Sequence, residues 1–375
     1  MPLRQTEFKF TLFWLAYTNI VSVLRKINIV SKLDTIMMIS FRPPIQEKLN
    51  LRDALMLNEM PKVVVGNVPS LTGEVEKRVI RVGDGSIIRL FDRTPVPEKE
   101  TDVVCPHFLE LKWANGCPFS CAWCYLQGTF RFLERGKKPF IKDWRKIELH
   151  LMALFQHNSR KELLNAGELS DSLIGEDQNP PASVRLARMF QEQDCYKLLL
   201  VTKSDRVDNL LKIEPENVIV SFSINAFPVA ERWEKGAPHP LRRLDVARRL
   251  HEHGYPVRVR IDPMVPVEEW KGHYGELVGE IFRRFEPERI TLGSLRGLST
   301  TIRHARDTSW VEYLDERSNW GLKPRFGVRL EMYRFIIDLL EEMGFKDYGL
   351  CKETVGMWRG LELDYRKIRC NCLLY

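Results

Sequence analysis

The chain has 375 residues, 57 Lys+Arg against 50 Asp+Glu, a formal net charge of +7 and 44% hydrophobic residues. This composition excludes a disordered or fibrous chain, and it suits one large α/β domain with appendages or two domains. The charge excess is mild for this length, so it permits a polyanionic partner without requiring one.

In chain order, the first distinctive stretch is Phe10 to Leu24, FTLFWLAYTNIVSVL, flanked by Arg4 and Lys9 before it and by Arg25 and Lys26 after it. It resembles a weak signal anchor. The run is about 15 residues, short of the ~20 that cross a bilayer. An anchor, an amphipathic surface segment and a start at Met37 or Met38 all stay open. The rest of the chain carries no transmembrane run, and a cytoplasmic protein is expected.

Residues 1–40 read as an N-terminal extension and residues 41–104 as a lead-in. Short β-like runs at Val63–Val65, Arg78–Val82 and Ser86–Phe91 are separated by Gly and Pro turns. The polar, Pro-bearing stretch Thr94–Glu100 marks a boundary. From residue 105 to 343 the pattern alternates. Strands are expected at Phe108–Trp113, Glu162–Leu164, Leu198–Val201, Val218–Ile224, Val257–Ile261 and Ile290–Leu292. Helix faces are expected within Ile147–Phe155, Ser183–Gln191, Leu241–Leu250, Leu277–Phe285 and Met332–Met343. About six β-then-α units predict a parallel sheet with helices outside, with reactive groups on the loops after the strand C-termini. Residues 300–326 read as an irregular insert, and residues 344–375 as a cysteine-bearing tail.

The eight cysteines are unevenly placed. Cys117, Cys121 and Cys124 form C-x3-C-x2-C in one short loop directly after the first strand of the alternating region. Cys351, Cys370 and Cys372 lie near the C-terminus, while Cys105 and Cys195 stand alone. A secreted disulfide framework fits poorly with so long a chain. Thiolates favour iron–sulfur clusters or zinc, and zinc would want a fourth ligand at similar spacing. Three close thiolates suit a four-iron cube whose remaining iron is open to a small molecule.

The triplet, with Trp123 before its last cysteine, resembles the signature of the radical S-adenosylmethionine (SAM) superfamily. Cys124-Tyr-Leu-Gln127, Val201-Thr-Lys203, Val207-Asp-Asn-Leu-Leu211, Phe222-Ser-Ile-Asn225, Trp320-Gly321 and Arg325–Tyr333 together resemble the spore photoproduct lyase family. That resemblance implies an α/β fold, a partial (β/α)6 TIM-type barrel. It implies a [4Fe–4S] cluster that binds SAM at its open iron. SAM would be cleaved reductively, and the 5′-deoxyadenosyl radical would abstract hydrogen from an unidentified substrate. It implies a reductant such as ferredoxin or flavodoxin, and a small-molecule, peptide or nucleic-acid substrate.

The resemblance also assigns roles. Gly167 and Glu168 end the second strand, and Glu168 would accept a hydrogen bond from the SAM ammonium, with Ser170 and Asp171 beside it. Lys203 would pair with the SAM carboxylate, and Ser223 and Asn225 would contact its ribose or methionine portion. Trp123 and Tyr125 would flank the adenine or the cluster, and Tyr125 is a catalytic candidate. Arg258 and Arg260 alternate with apolar residues, so period two puts both on one face. If that face is interior they are catalytic-face groups that need an acid or an anionic ligand.

Two departures matter. The family's hydrogen-returning cysteine lies just before the Ser-Asp that corresponds to Ser170-Asp171, and Gly167–Leu169 here contains no cysteine. The family's relay tyrosine is Trp123 here, although Tyr125 is retained. Repair of a thymine dimer is therefore kept as an alternative. Cys351, Cys370 and Cys372, with Cys105, are candidate ligands of a second iron–sulfur cluster or a zinc ion. Cys195 reads as a small core residue. A nucleic-acid-binding protein with a structural cluster and an electron-transfer protein complete the alternatives. The pairs Arg242-Arg243, Arg248-Arg249 and Arg283-Arg284 allow the former, but they read as solvated charge on outer helix faces.

Overall fold

The computed structural model describes residues 60–91, 94–157 and 160–375. The readings of residues 1–40 lie outside the described residues. Among the described residues no helix is long and apolar enough to cross a membrane.

A ten-stranded mixed sheet organises the chain, and its strands follow one another in space as they do in sequence. They are β1 Val63–Pro69, β2 Val75–Val82, β3 Ile88–Phe91, β4 Phe108–Leu111, β5 Glu162–Asn165, β6 Tyr196–Thr202, β7 Val218–Ser223, β8 Val257–Met264, β9 Arg289–Ser294 and β10 Tyr348–Leu350. The first four pair antiparallel. From β4 to β10 every pairing is parallel. The lead-in strands are thus the antiparallel margin of the main sheet, hydrogen-bonded to it through β3 and β4. Strand β10 joins beyond the last strand read from the sequence, because only three residues, Tyr348–Leu350, carry it.

The parallel strands form where the apolar runs are continuous. Leu198–Leu200 and Val218–Val220 are wholly buried, as strands covered on both faces must be. The crossovers are α1 Trp144–His157, α2 Ala182–Gln191, α3 Pro240–Glu252, α4 Trp270–Arg284 and α5 Phe326–Glu342. Helix α3 shows why they start and stop. Pro240 occupies its first turn, the His239 ring accepts the Leu241 N–H, and Gly254 follows with a φ of 101°. Between β6 and β7 a single 3-10 turn, Leu210–Lys212, replaces the helix. The insert before α5 is folded: a short helix Ser299–His304, a 3-10 turn Ser309–Tyr313 and the hairpin Glu316–Ser318 with Gly321–Lys323.

The C-terminal segment lies across the face of β7, β8 and β9 that carries Ser221, Arg258, Arg289 and Thr291. Asn371 is fully buried there: its side chain donates to Ser221 Oγ and the Val259 carbonyl, both at 2.9 Å, and accepts from Thr291 Oγ1 at 2.8 Å.

Candidate functional site

The cysteine loop leaves β4 through Ala114–Asn115 and is pinned at every step by backbone bonds. Gly116 has a φ of 84°, and a Cβ there would stand 2.5 Å from the Lys138 carbonyl, so glycine is required. Its N–H donates to the Leu169 carbonyl and that of Cys117 to the Lys137 carbonyl, each at 2.8 Å. Ser120–Cys121 pairs antiparallel with Glu234–Lys235, and Ala122 N–H donates to the Trp233 carbonyl. Gln127 Nε2 then spans the loop, donating to the Ala122 carbonyl at 3.0 Å and the Cys121 carbonyl at 3.3 Å.

This frame turns Cys117, Cys121 and Cys124 into one cavity of about 560 Å³. Burial raises the Cys117 thiol, and it raises Cys121 to about 12 against the opposing pull of Lys203. Ligation would replace those protons, since thiolates and not thiols bind metal. Among the described residues no three His, Cys, Asp or Glu side chains converge on a single-ion position. A mononuclear zinc needs such convergence, whereas each thiolate on a four-iron cube takes a different iron.

The same cavity holds most of the polar residues expected from sequence. Gly167, Glu168, Ser170, Asp171, Lys203, Ser223 and Arg260 line the same cavity, with Trp123 and Tyr125 at its rim. Gly167 is demanded by packing: a Cβ would meet Val201 Cβ at 2.4 Å. Glu168 is oriented by Asn165 Nδ2 at 3.0 Å, and its carbonyl accepts the Tyr125 hydroxyl. Burial alone would lower Lys203, but the nearby Glu234 and Cys121 outweigh it and the ammonium is raised. Ser170 Oγ, Arg260 Nε and Asp262 Oδ1 are buried with no protein partner, and all three residues line this cavity. A polar, zwitterionic ligand would satisfy such atoms.

Three expectations change. Asn225 is fully buried outside the cavity lining, with its amide spent on the Pro263 carbonyl, Ala226 N–H and Tyr274 hydroxyl. It shapes the end of β7. Arg258 faces inward as expected, but its guanidinium binds Glu288 and the carbonyls of Asn371 and Leu373. It holds the tail and has no catalytic reach. Arg243 is not on an outer face: it is 1% exposed and binds Glu234 at 2.6 Å. Asp171 lines the cavity, yet its carboxylate already accepts from Thr202 Oγ1, Leu173 N–H and Lys203 N–H, so it mainly fixes the turn that presents Lys203.

Sequence reasoning missed Glu234, Asp262 and Lys352 as site residues and left Arg296 without a partner. Glu234 joins Arg243 to Lys203 from a two-residue strand with no motif of its own. Asp262 pairs with Arg296 at 2.7 Å, in space left by Gly293. A polar residue late in a strand was the available signal for Asp262, and it is weak.

Three cysteines of one loop line a single cavity at the C-terminal end of the parallel sheet together with Glu168, Lys203 and Arg260, an arrangement consistent with the radical SAM-type domain expected from the cysteine motif. Residues 108–293 match the sequence model of the family described as spore photoproduct lyase. The spore photoproduct lyase of Bacillus subtilis is 28% identical over 171 residues, 44% of this chain and 48% of that protein. That of Clostridium acetobutylicum is 23% identical over 174 residues, 45% of this chain and 50% of that protein. The matches thus span about half the length of these curated relatives. A solved spore photoproduct lyase complexed with dinucleoside spore photoproduct superposes with a TM-score of 0.54 at 20% identity, over 64% of this chain and 75% of that one. Over residues 108–293, just under half of its length, the chain is thus similar to the spore photoproduct lyase family. The residues present fit both cofactors of the radical SAM superfamily, a [4Fe–4S] cluster and SAM.

Proposed function

We propose that this chain is a radical SAM enzyme built on a partial (β/α)6 barrel, with Cys117, Cys121 and Cys124 holding the [4Fe–4S] cluster. SAM bound at the open iron supplies, on one-electron reduction by a ferredoxin- or flavodoxin-type partner, a 5′-deoxyadenosyl radical that takes hydrogen from a substrate. Lys203 offers its ammonium to the SAM carboxylate, and Glu168 accepts from the SAM ammonium. Ser170 and Ser223 sit along the same wall, and the rings of Trp123 and Tyr125 wall off water at the rim. Arg260 and the Asp262–Arg296 pair line the same cavity.

The observation that carries this reading is the shared cavity: the three loop thiols line it together with Glu168 and Lys203. The substrate class best supported is a pyrimidine photoproduct in DNA, because the curated relatives are spore photoproduct lyases and the solved neighbour holds such a dinucleoside. A second reading, hydrogen abstraction from a different substrate, is favoured by the missing cysteine in Gly167–Leu169.

Anaerobic reconstitution, reduction and addition of SAM should yield 5′-deoxyadenosine, and Cys121→Ala should abolish it. Absence of cleavage by a fully loaded wild-type protein would sink the reading. Adding dinucleoside spore photoproduct decides between substrates: thymidylyl-thymidine should accumulate under the first and not under the second.

A further inference from the structure

Five cysteines remain that this reaction does not use; Cys195 lies outside the cavity lining, and the other four line it. Cys105 precedes β4, Cys351 follows β10, and Cys370 and Cys372 lie in the last six residues. The fold brings all four to the same cavity as the cysteine loop. Cys105, Cys370 and Cys372 are at least nine-tenths buried. The Cys370 and Cys372 thiols interact directly, and Cys105 and Cys351 lie close enough to act electrostatically on Cys370.

A cation is aimed at three of these sulfurs. Arg260 reaches Cys372 Sγ at 3.1 Å, Lys352 reaches Cys105 Sγ at 3.5 Å, and Arg296 reaches Cys351 Sγ at 3.8 Å. Lys352 is held in place by the rings of Trp320 and Phe91, 4.0 and 4.2 Å from its Nζ. Neutral thiols are weak acceptors and do not need cations in a cavity. Anionic sulfur does, and a four-thiolate iron–sulfur centre is net anionic in either common oxidation state. Backbone cost points the same way: Lys352 adopts a φ of 48°, in the region disfavoured for residues with a Cβ, directly after Cys351.

We propose that Cys105, Cys351, Cys370 and Cys372 bind a second, fully cysteine-ligated four-iron cluster that lines the reaction cavity. Each thiol gives up its proton as it takes one iron, and the C-x-C pair serves two irons of the one cube. The cluster makes the chain's last residues part of the active-site wall. It stands on cysteines other than those of the SAM reaction, so the two readings fail separately.

The test uses the full chain. The variant Cys117→Ala/Cys121→Ala/Cys124→Ala, reconstituted anaerobically, should keep about four irons and about four labile sulfides, with the low-temperature paramagnetic signal of a reduced four-iron centre. Background iron, or zinc in place of iron, would overturn the proposal. If that variant fails to fold, Cys370→Ala/Cys372→Ala in the otherwise intact chain decides. Its iron should fall from about eight to about four per chain, with unchanged circular dichroism. An iron content equal to wild type, or a wild type that never exceeds about four, would overturn it.

Discussion

The cysteine loop and the C-terminal tail line one cavity but are built in opposite ways. In the loop, three thiols lie within eight residues, and backbone bonds from Lys137, Leu169 and Trp233 set their directions. In the tail, Cys351, Cys370 and Cys372 are placed by side chains far away in sequence: Arg258 and Arg289 on its carbonyls, Thr291 and Ser221 on Asn371, and Lys323 and Arg329 on Glu353. A local frame tolerates loss of any one bond. A tail anchored by a few buried polar groups does not, because each removal leaves its partners desolvated and unpaired.

The largest test of that contrast is Glu353→Ala. Glu353, Lys323 and Arg329 are all fully buried, and Ser294 Oγ and the Tyr333 hydroxyl also bond the carboxylate, at 2.6 and 3.0 Å. Removing it strands the buried Lys323 and leaves Arg329 with Glu316 as its acidic partner, and should cost about 3–5 kcal/mol in denaturant unfolding. A loss below about 1 kcal/mol would show that the tail is anchored elsewhere. The same carboxylate should be visible in acid. Burial would raise it, but Lys323 and Arg329, with Ser294 and the Thr354 N–H, outweigh burial and hold it at about 2, below its ordinary 4.5. A depressed carboxylate stabilises the fold above its unfolded value, so that contribution is lost as pH falls from 4.5 towards about 2. The wild-type stability profile should fall through this window, and that of Glu353→Ala should be flatter.

Asn371→Ala comes next. It unpairs Ser221 Oγ and the Val259 carbonyl inside the sheet, while Thr291 Oγ1 keeps the backbone N–H of residue 371, and it should cost about 1–3 kcal/mol. The smallest effect is expected in the loop. Gln127→Ala removes one amide that bridges loop carbonyls already held by the backbone, and it should cost about 1 kcal/mol. Thermal melts of the two variants rank them, and a loop loss larger than the tail loss would reverse the comparison.

Much of the site was legible because its residues end strands. Gly167, Glu168, Lys203 and Ser223 lie at or just beyond the C-terminal ends of parallel strands, where a βα sheet gathers reactive groups from distant positions onto one edge. Asn225 satisfied the same rule and was misjudged, since position on a strand does not reveal that Tyr274 and Pro263 consume its amide. Arg243 looked solvated because a helical Arg-Arg pair carries no sign of the buried Glu234 opposite.

The amino-acid sequence by itself determined the C-x3-C-x2-C loop and the alternation of strand and helix, and with it the expectation of a parallel sheet. Those features depend on neighbours within a few residues or on a period of two or 3.6, and such information is written locally. Only the tertiary structure decided that Cys105, Cys351, Cys370 and Cys372 meet beside that loop, each of three facing a cation. Their meeting depends on buried polar contacts more than 100 residues apart, such as Arg258 with Asn371. No local spacing encodes a contact of that range.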